Sequence, residues 1–123
     1  MRVYVAAKYA PEPIARAREV MAQLILAGHI ITYNWTTNEQ VNAQQARYDL
    51  DGVLSAHALV VIAEQDLRYV GTLVEFGIAL GAGIPIYVIG QALDEKCIFM
   101  KLPHIHRGIE SLLSPSGSYF RDS

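Results

Sequence analysis

Glu75 is a carboxylate in unusual company. It lies within Gly71-Thr72-Leu73-Val74-Glu75-Phe76-Gly77-Ile78-Ala79-Leu80, and three and four positions onward stand Ile78 and Ala79. A helix that is apolar all round is expected to be buried, and an ionised carboxylate buried without partners is costly. Two readings account for it. Thr72-Leu73-Val74-Glu75 has the spacing of a capping box, with Thr72 as N-cap and Glu75 reaching back to its backbone N–H. The positive end of the helix favours the anion there. The other reading is catalytic, since a first-turn glutamate at the carboxyl end of a strand faces the ligand crevice. The two are compatible.

Other familiar chemistry is absent from the sequence. The turn after the first strand, Ala6-Ala7-Lys8-Tyr9, lacks the glycines of a dinucleotide fingerprint, and no P-loop occurs. That strand does not end in paired acids, and no GxSxG elbow exists. His104-Ile105-His106 is a conceivable metal pair, but no cysteine or acid stands at ligand spacing, so a surface turn after Pro103 fits better and no metal is expected. Cys97 reads as a small buried hydrophobe, and His29 and His57 as satisfied residues flanking strands.

The elements that would position Glu75 follow from the apolar pattern. Val3-Tyr4-Val5-Ala6-Ala7 reads as a strand. Pro11 and Pro13 open a helix whose apolar positions Ile14, Ala17, Met21, Leu24 and Ile25 recur at helical spacing, with Gly28 as its C-terminal cap. His29 to Trp35 reads as a second strand, Val41 to Ser55 as a helix, and Ala58 to Ala63 as a fully buried strand. Thr72 to Ala82 forms the next helix, Pro85 to Ile89 a further strand, and a terminal helix lies near His106 to Leu113. Strands that alternate with helices and read as continuous apolar runs indicate a parallel sheet covered on both faces. The expected fold is therefore α/β, a single-domain doubly wound parallel sheet of about five strands, flavodoxin- or Rossmann-like. Residues 1–113 form the domain and 114–123 a polar tail. Ligands in such sheets bind beyond the carboxyl ends of the strands, here Ala7 to Tyr9, Trp35 to Thr37, Glu64 to Thr72 and Gly90 to Ala92.

Composition narrows the function classes. The chain has 123 residues, 52% hydrophobic and 18% charged, which is one globular domain rather than a disordered segment. Ten Lys+Arg against twelve Asp+Glu leave a net charge of -2, so neither a nucleic-acid polymer nor a membrane surface is an expected partner. Glycines and Pro85 interrupt the apolar stretch Leu73 to Gly90, which suits a buried strand-turn-helix unit better than a membrane span. A lone cysteine and an N-terminus without a signal-peptide layout make the cytoplasm the expected compartment.

Gly71 to Ile86 resembles the G-T-x-x-E-x-G-x-A-x-x-x-G-x-P-[VI] segment of the nucleoside 2-deoxyribosyltransferase family, which includes relatives that hydrolyse nucleoside 5′-monophosphates. Asp49 to His57 is similar to its D-x-x-G-[IV]-x-x-[SA]-D segment, and Val3-Tyr4-Val5-Ala6 to its first strand. Thr32-Tyr33-Asn34-Trp35-Thr36 resembles T-Y-D-W-T of small, phage-type members. The resemblance implies that Glu75 is the nucleophile, attacking the anomeric carbon and forming a covalent glycosyl-enzyme that a second base or water resolves. It implies that Tyr4 holds that carboxylate and that Asp49 helps protonate the departing base. Gly71 and Thr72 would lie against the sugar, with Ala6, Lys8, Tyr9, Trp35, Arg68 and Tyr69 completing the substrate site. It further implies cleavage of the N-glycosidic bond of a 2′-deoxynucleoside or its 5′-monophosphate, no cofactor and a homo-oligomer, to whose sites the tail Ser118 to Asp122 could contribute.

Several positions depart from the pattern. Tyr69 stands where family members carry Asp or Ser six residues before the nucleophile, His57 replaces an acid, Asn34 replaces an Asp, and Ala6-Ala7-Lys8 stands where glycines are common. The 5′ end of the sugar is thus open to two readings. Lys8, Arg16, Arg18 or Arg68 could bind a phosphate, with solvation the plainer role for Arg16 and Arg18, or Tyr69 could cap a bare hydroxyl. The same departures motivate a catalytically silent nucleotide-binding module as the alternative function. A flavodoxin-like cofactor carrier is disfavoured by the lack of a phosphate-cradling loop after the first strand.

Overall fold

Val3 to Ala6 and Ala58 to Ala63 are buried throughout, because helices cover both faces of the sheet they centre. The computed structural model describes residues 1–38 and 42–114. Its elements are β1 (Arg2–Ala6), α1 (Pro11–Leu26), β2 (Ile30–Ile31), α2 (Ala43–Leu54), β3 (Ala58–Ile62), α3 (Val70–Ala82), β4 (Ile86–Ile89), β5 (His106–Arg107) and α4 (Glu110–Leu113). Single 3-10 turns cover Trp35–Thr37 and Ile98–Lys101. All pairings are parallel, in the order β2-β1-β3-β4-β5, with Val3 opposite Ala58 and Leu59 opposite Ile86. This is the expected doubly wound fold. α1 and α4 pack together, as do α2 and α3 on β1. The strand order reverses at β1 and β3, which opens a crevice at their carboxyl ends.

Boundaries differ from the sequence reading by more than one residue in four places. The second strand spans only Ile30–Ile31, because the chain turns at Thr32, whose Oγ1 donates to the Gly52 carbonyl (2.8 Å), and Asn34 then caps the 3-10 turn by accepting from Thr36 N–H (3.0 Å). The segment from His106 begins as a strand beside Tyr87 and Val88, and Gly108, at φ 86°, separates it from a helix of only Glu110–Leu113. α2 starts at Ala43, where Asn42 Oδ1 accepts from Gln45 N–H (2.9 Å); Val41 and the tail Ser118 to Asp122 lie outside the described residues. α3 starts at Val70, ahead of Thr72. It ends as α1 does. Gly83, at φ 74°, sends its N–H to Leu80 O while Ile84 N–H reaches Ala79 O, a left-handed closure that a side chain would strain.

α3 is not wrapped on every side, contrary to expectation. Thr72, Phe76 and Ala79 are buried, but Val70 and Val74 are 66% and 58% exposed, on the same side as Gly77 and Gly81. Among the described residues, no helix is long and apolar enough to cross a membrane.

Candidate active site

The early start of α3 decides how Glu75 is used. Tyr69 is the residue at the N-cap and caps with no side chain, so Thr72 sits inside the first turn and Glu75 in the second. The capping box is therefore absent, and the carboxylate is not committed to its own backbone. Glu75 Oε2 instead accepts a 2.7 Å hydrogen bond from the hydroxyl of Tyr4. Tyr4 rises from the centre of β1 and is fully buried.

Gly52 of α2 lets the tyrosine stand there. A Cβ at Gly52 would meet Tyr4 Cδ2 at 2.9 Å and Tyr33 Cβ at 3.1 Å, so the helix lies on the ring only because that position has no side chain. One turn earlier on α2 is Asp49, half-buried, whose Oδ1 has no hydrogen-bond partner among the described residues. Two carboxyl groups thus converge on one phenol.

Burial governs their protonation. Desolvation pushes Glu75 up to about 7, with the Asp49 charge adding to the rise and the Tyr4 hydrogen bond opposing it. Asp49 is also raised, chiefly by desolvation; Tyr4 lies near enough to offset part of this although its hydrogen bond goes to Glu75. The Tyr4 phenol is raised by burial and by the two acids, so it stays a donor. Near neutral pH Glu75 is therefore poised between its neutral and ionised forms, while Tyr4 keeps its proton.

Both carboxyl groups open into a cavity of about 510 Å³ at the switch point, a size that suits a small organic ligand. Ala7, Lys8 and Tyr9 follow β1, Trp35 and Asn38 follow β2, α2 contributes Asn42, Gln45, Ala46 and Asp49, and Arg68 to Thr72 with Glu75 complete the wall. Trp35 is fixed by its indole N–H on the Val5 carbonyl (2.6 Å), and Tyr9 tilts over it at a centroid distance of 6.3 Å. Tyr9 also bonds the Asn38 carbonyl, and Tyr33 accepts from the Asn38 amide and donates to Gln45 Oε1 (2.8 Å). One end of the cavity is thus aromatic with amides beside it.

Of the residues picked out from the sequence, Glu75, Asp49, Lys8, Tyr9, Trp35, Arg68, Tyr69, Gly71 and Thr72 line this cavity. Tyr4 stands behind Glu75, and Ala6 is wholly buried, with Ala7 taking its place in the wall. Asn38, Asn42, Gln45 and Ala46 were not anticipated. Three of them had a signal, because positions 42, 45, 46 and 49 fall on one helical face. Asn38 had none, since loop contacts with Tyr9 and Tyr33 place it. Away from the cavity, His57 Nδ1 accepts from Arg2 N–H (3.0 Å), and the His106 ring stacks on Tyr87 at 4.3 Å. Among the described residues, no three His, Cys, Asp or Glu could hold a metal ion.

No family model and no curated protein matches the chain. Solved structures do match in fold. One is a 2-deoxyribosyltransferase from the psychrotolerant bacterium Bacillus psychrosaccharolyticus, at 17% identity and TM-score 0.69, covering 88% of this chain and 85% of that one. Another is a conserved protein from Enterococcus faecalis V583, at 16% identity and TM-score 0.61, covering 92% of this chain and 86% of that one.

Proposed function

We propose that this chain is a member of the nucleoside 2-deoxyribosyltransferase family and cleaves the N-glycosidic bond of a nucleoside or its 5′-monophosphate. The observation that carries the reading is the Glu75 carboxylate, uncommitted to a cap, held by Tyr4 and open to a cavity that also holds Asp49. The fold shared with a 2-deoxyribosyltransferase agrees with it. In the proposed reaction an oxygen of ionised Glu75 attacks the anomeric carbon while the bond to the base nitrogen breaks. The leaving base takes the electron pair and a proton from the protonated form of Asp49, which lines the same cavity. Tyr4 steers the carboxylate and tempers its pKa. A second base, or water deprotonated by Asp49, then attacks the same carbon and frees Glu75. The aromatic end formed by Tyr9 and Trp35 suits a planar base, with Gln45 and Asn38 at its edge. No cofactor enters this chemistry.

A panel of nucleosides and 5′-monophosphates, read by chromatography for free base with and without an acceptor base, tests the reading. We expect base release from at least one member and a loss of about a thousandfold or more in Glu75→Gln. Undiminished release in that variant would remove Glu75 from the mechanism. Tight binding of intact nucleotide with no turnover would favour the silent binding module instead.

A further inference from the structure

We propose that the cavity is built for a phosphate monoester on the sugar, seated against Lys8, Arg68 and the first turn of α3, so that nucleoside 5′-monophosphates are the substrates rather than bare nucleosides. The inference rests on the glycosidic reading above and specifies its substrate class.

Charge is divided within the cavity. The carboxyl groups of Glu75 and Asp49 gather at Tyr4, whereas Lys8 and Arg68 meet where the loops after β1 and β3 touch, Lys8 Nζ donating to the Arg68 carbonyl at 2.8 Å. Four cations near the crevice were open to a phosphate by sequence, and the structure commits two of them elsewhere. Arg16 pairs with Glu64 (3.0 Å) and Glu19 (3.2 Å), and Arg18 donates to the Thr36 hydroxyl and carbonyl. The Arg68 guanidinium makes neither an ion pair nor a hydrogen bond among the described residues, and the adjacent acids Glu64 and Asp66 are taken by Arg16 and Lys96. Among the described residues, neither of these two cavity-lining cations is ion-paired with a carboxylate.

The neighbouring backbone has the same polarity. α3 begins without a side-chain cap, and Val70, Gly71 and Thr72, whose N–H groups open the helix, all line the cavity. A helix start with free N–H groups favours an anion. A Cβ at Gly71 would meet nothing within 4 Å, so there is room beside it. Thr72 is 2% exposed and its Oγ1 has no hydrogen-bond partner among the described residues, a state that costs stability unless a ligand oxygen satisfies the hydroxyl. Tyr69, by contrast, has no proton to offer a sugar oxygen and can meet a bare 5′-hydroxyl only as an acceptor. Its hydroxyl proton is donated to the Gln65 carbonyl at 2.6 Å.

The test compares kcat/KM for each nucleoside with that for its own 5′-monophosphate, in the ribo and 2′-deoxy series. We expect the monophosphate to be preferred about a hundredfold or more, the sum expected of two charge-assisted contacts. In Arg68→Ala the preference should shrink about tenfold or more, in Arg68→Lys it should partly return, and it should weaken as salt rises. Arg68 is exposed, so these variants should fold, which a melting curve checks. Calorimetric binding of the same pairs, and of inorganic phosphate, to Glu75→Gln protein gives a readout independent of turnover. Preferential monophosphate binding that depends on Arg68, with no base released from any compound by the native protein, would sink the glycosidic reading and leave the phosphate site standing. Equal turnover of nucleosides and monophosphates, unchanged in Arg68→Ala, would overturn the phosphate site and leave the glycosidic reading. Acceleration of base release from a bare nucleoside by inorganic phosphate, with a sugar 1-phosphate as product, would make the anion a free co-substrate and would also overturn the monoester.

Discussion

Glu75 is a destabilising residue where it stands. Its carboxyl group titrates at about 7 in the folded chain against 4.5 when unfolded. Between those values the native state binds more protons than the unfolded state, so this group lowers stability as pH rises from about 4.5 to 7 and holds the full penalty above. Glutamine keeps an acceptor for the Tyr4 hydroxyl and carries no charge to desolvate. Glu75→Gln should therefore melt close to the native protein near pH 4.5, gain on it as pH rises to about 7, and keep a constant advantage above. The difference there has an upper bound of about 3 kcal/mol. Melting curves at pH 5 and pH 8 check this, and a variant less stable than native at pH 8 would mean that the carboxylate is satisfied in the fold. A carboxyl group shifted by burial and facing a cavity is a candidate for chemistry.

At the scale of elements, the site depends on how closely α2 lies on β1. The Tyr4 ring fits beneath Gly52 with no space for a methyl group, and both neighbours of that methyl are packed tyrosines. Gly52→Ala should cost about 1–3 kcal/mol by overpacking, and it should lower kcat by shifting the phenol that holds Glu75. Native melting and native kcat together would show that the helix can slide without consequence. The sequence made β1, β3 and β4 legible because strands buried on both faces read as unbroken apolar runs, and it singled out Glu75 because a lone acid in such a setting is conspicuous. It misplaced the start of α3, since Thr72 and Glu75 have a capping spacing while the actual N-cap, Tyr69, offers no capping side chain. It overextended β2, because Tyr33 and Trp35 have strand-like side chains but are placed by hydrogen bonds to Gln45 and Val5, distant in sequence. Aromatic type alone does not distinguish a strand from a wall of a cavity.

For the whole molecule, the strand-order reversal brings three loops and two helices to one cavity, so that residues from Lys8 to Glu75 meet although separated along the chain. Val70 belongs both to this cavity and to the exposed side of α3 with Val74. The homo-oligomer implied by the family resemblance would border the site if it formed on this face. Light scattering should give a mass at least twice that of the chain, reduced in Val74→Glu; a native monomer with full activity would exclude a shared site. The central claim is narrower, namely that Glu75 becomes covalently bonded to the sugar. It is tested most directly by intact and peptide mass spectrometry of protein quenched during turnover of the best substrate, or of its 2-fluoro analogue, which slows breakdown of the intermediate. The account predicts a mass increase equal to the glycosyl group, located on Glu75 and absent in Glu75→Gln. Steady release of base with no adduct on native protein, or an adduct on any other residue, would contradict it.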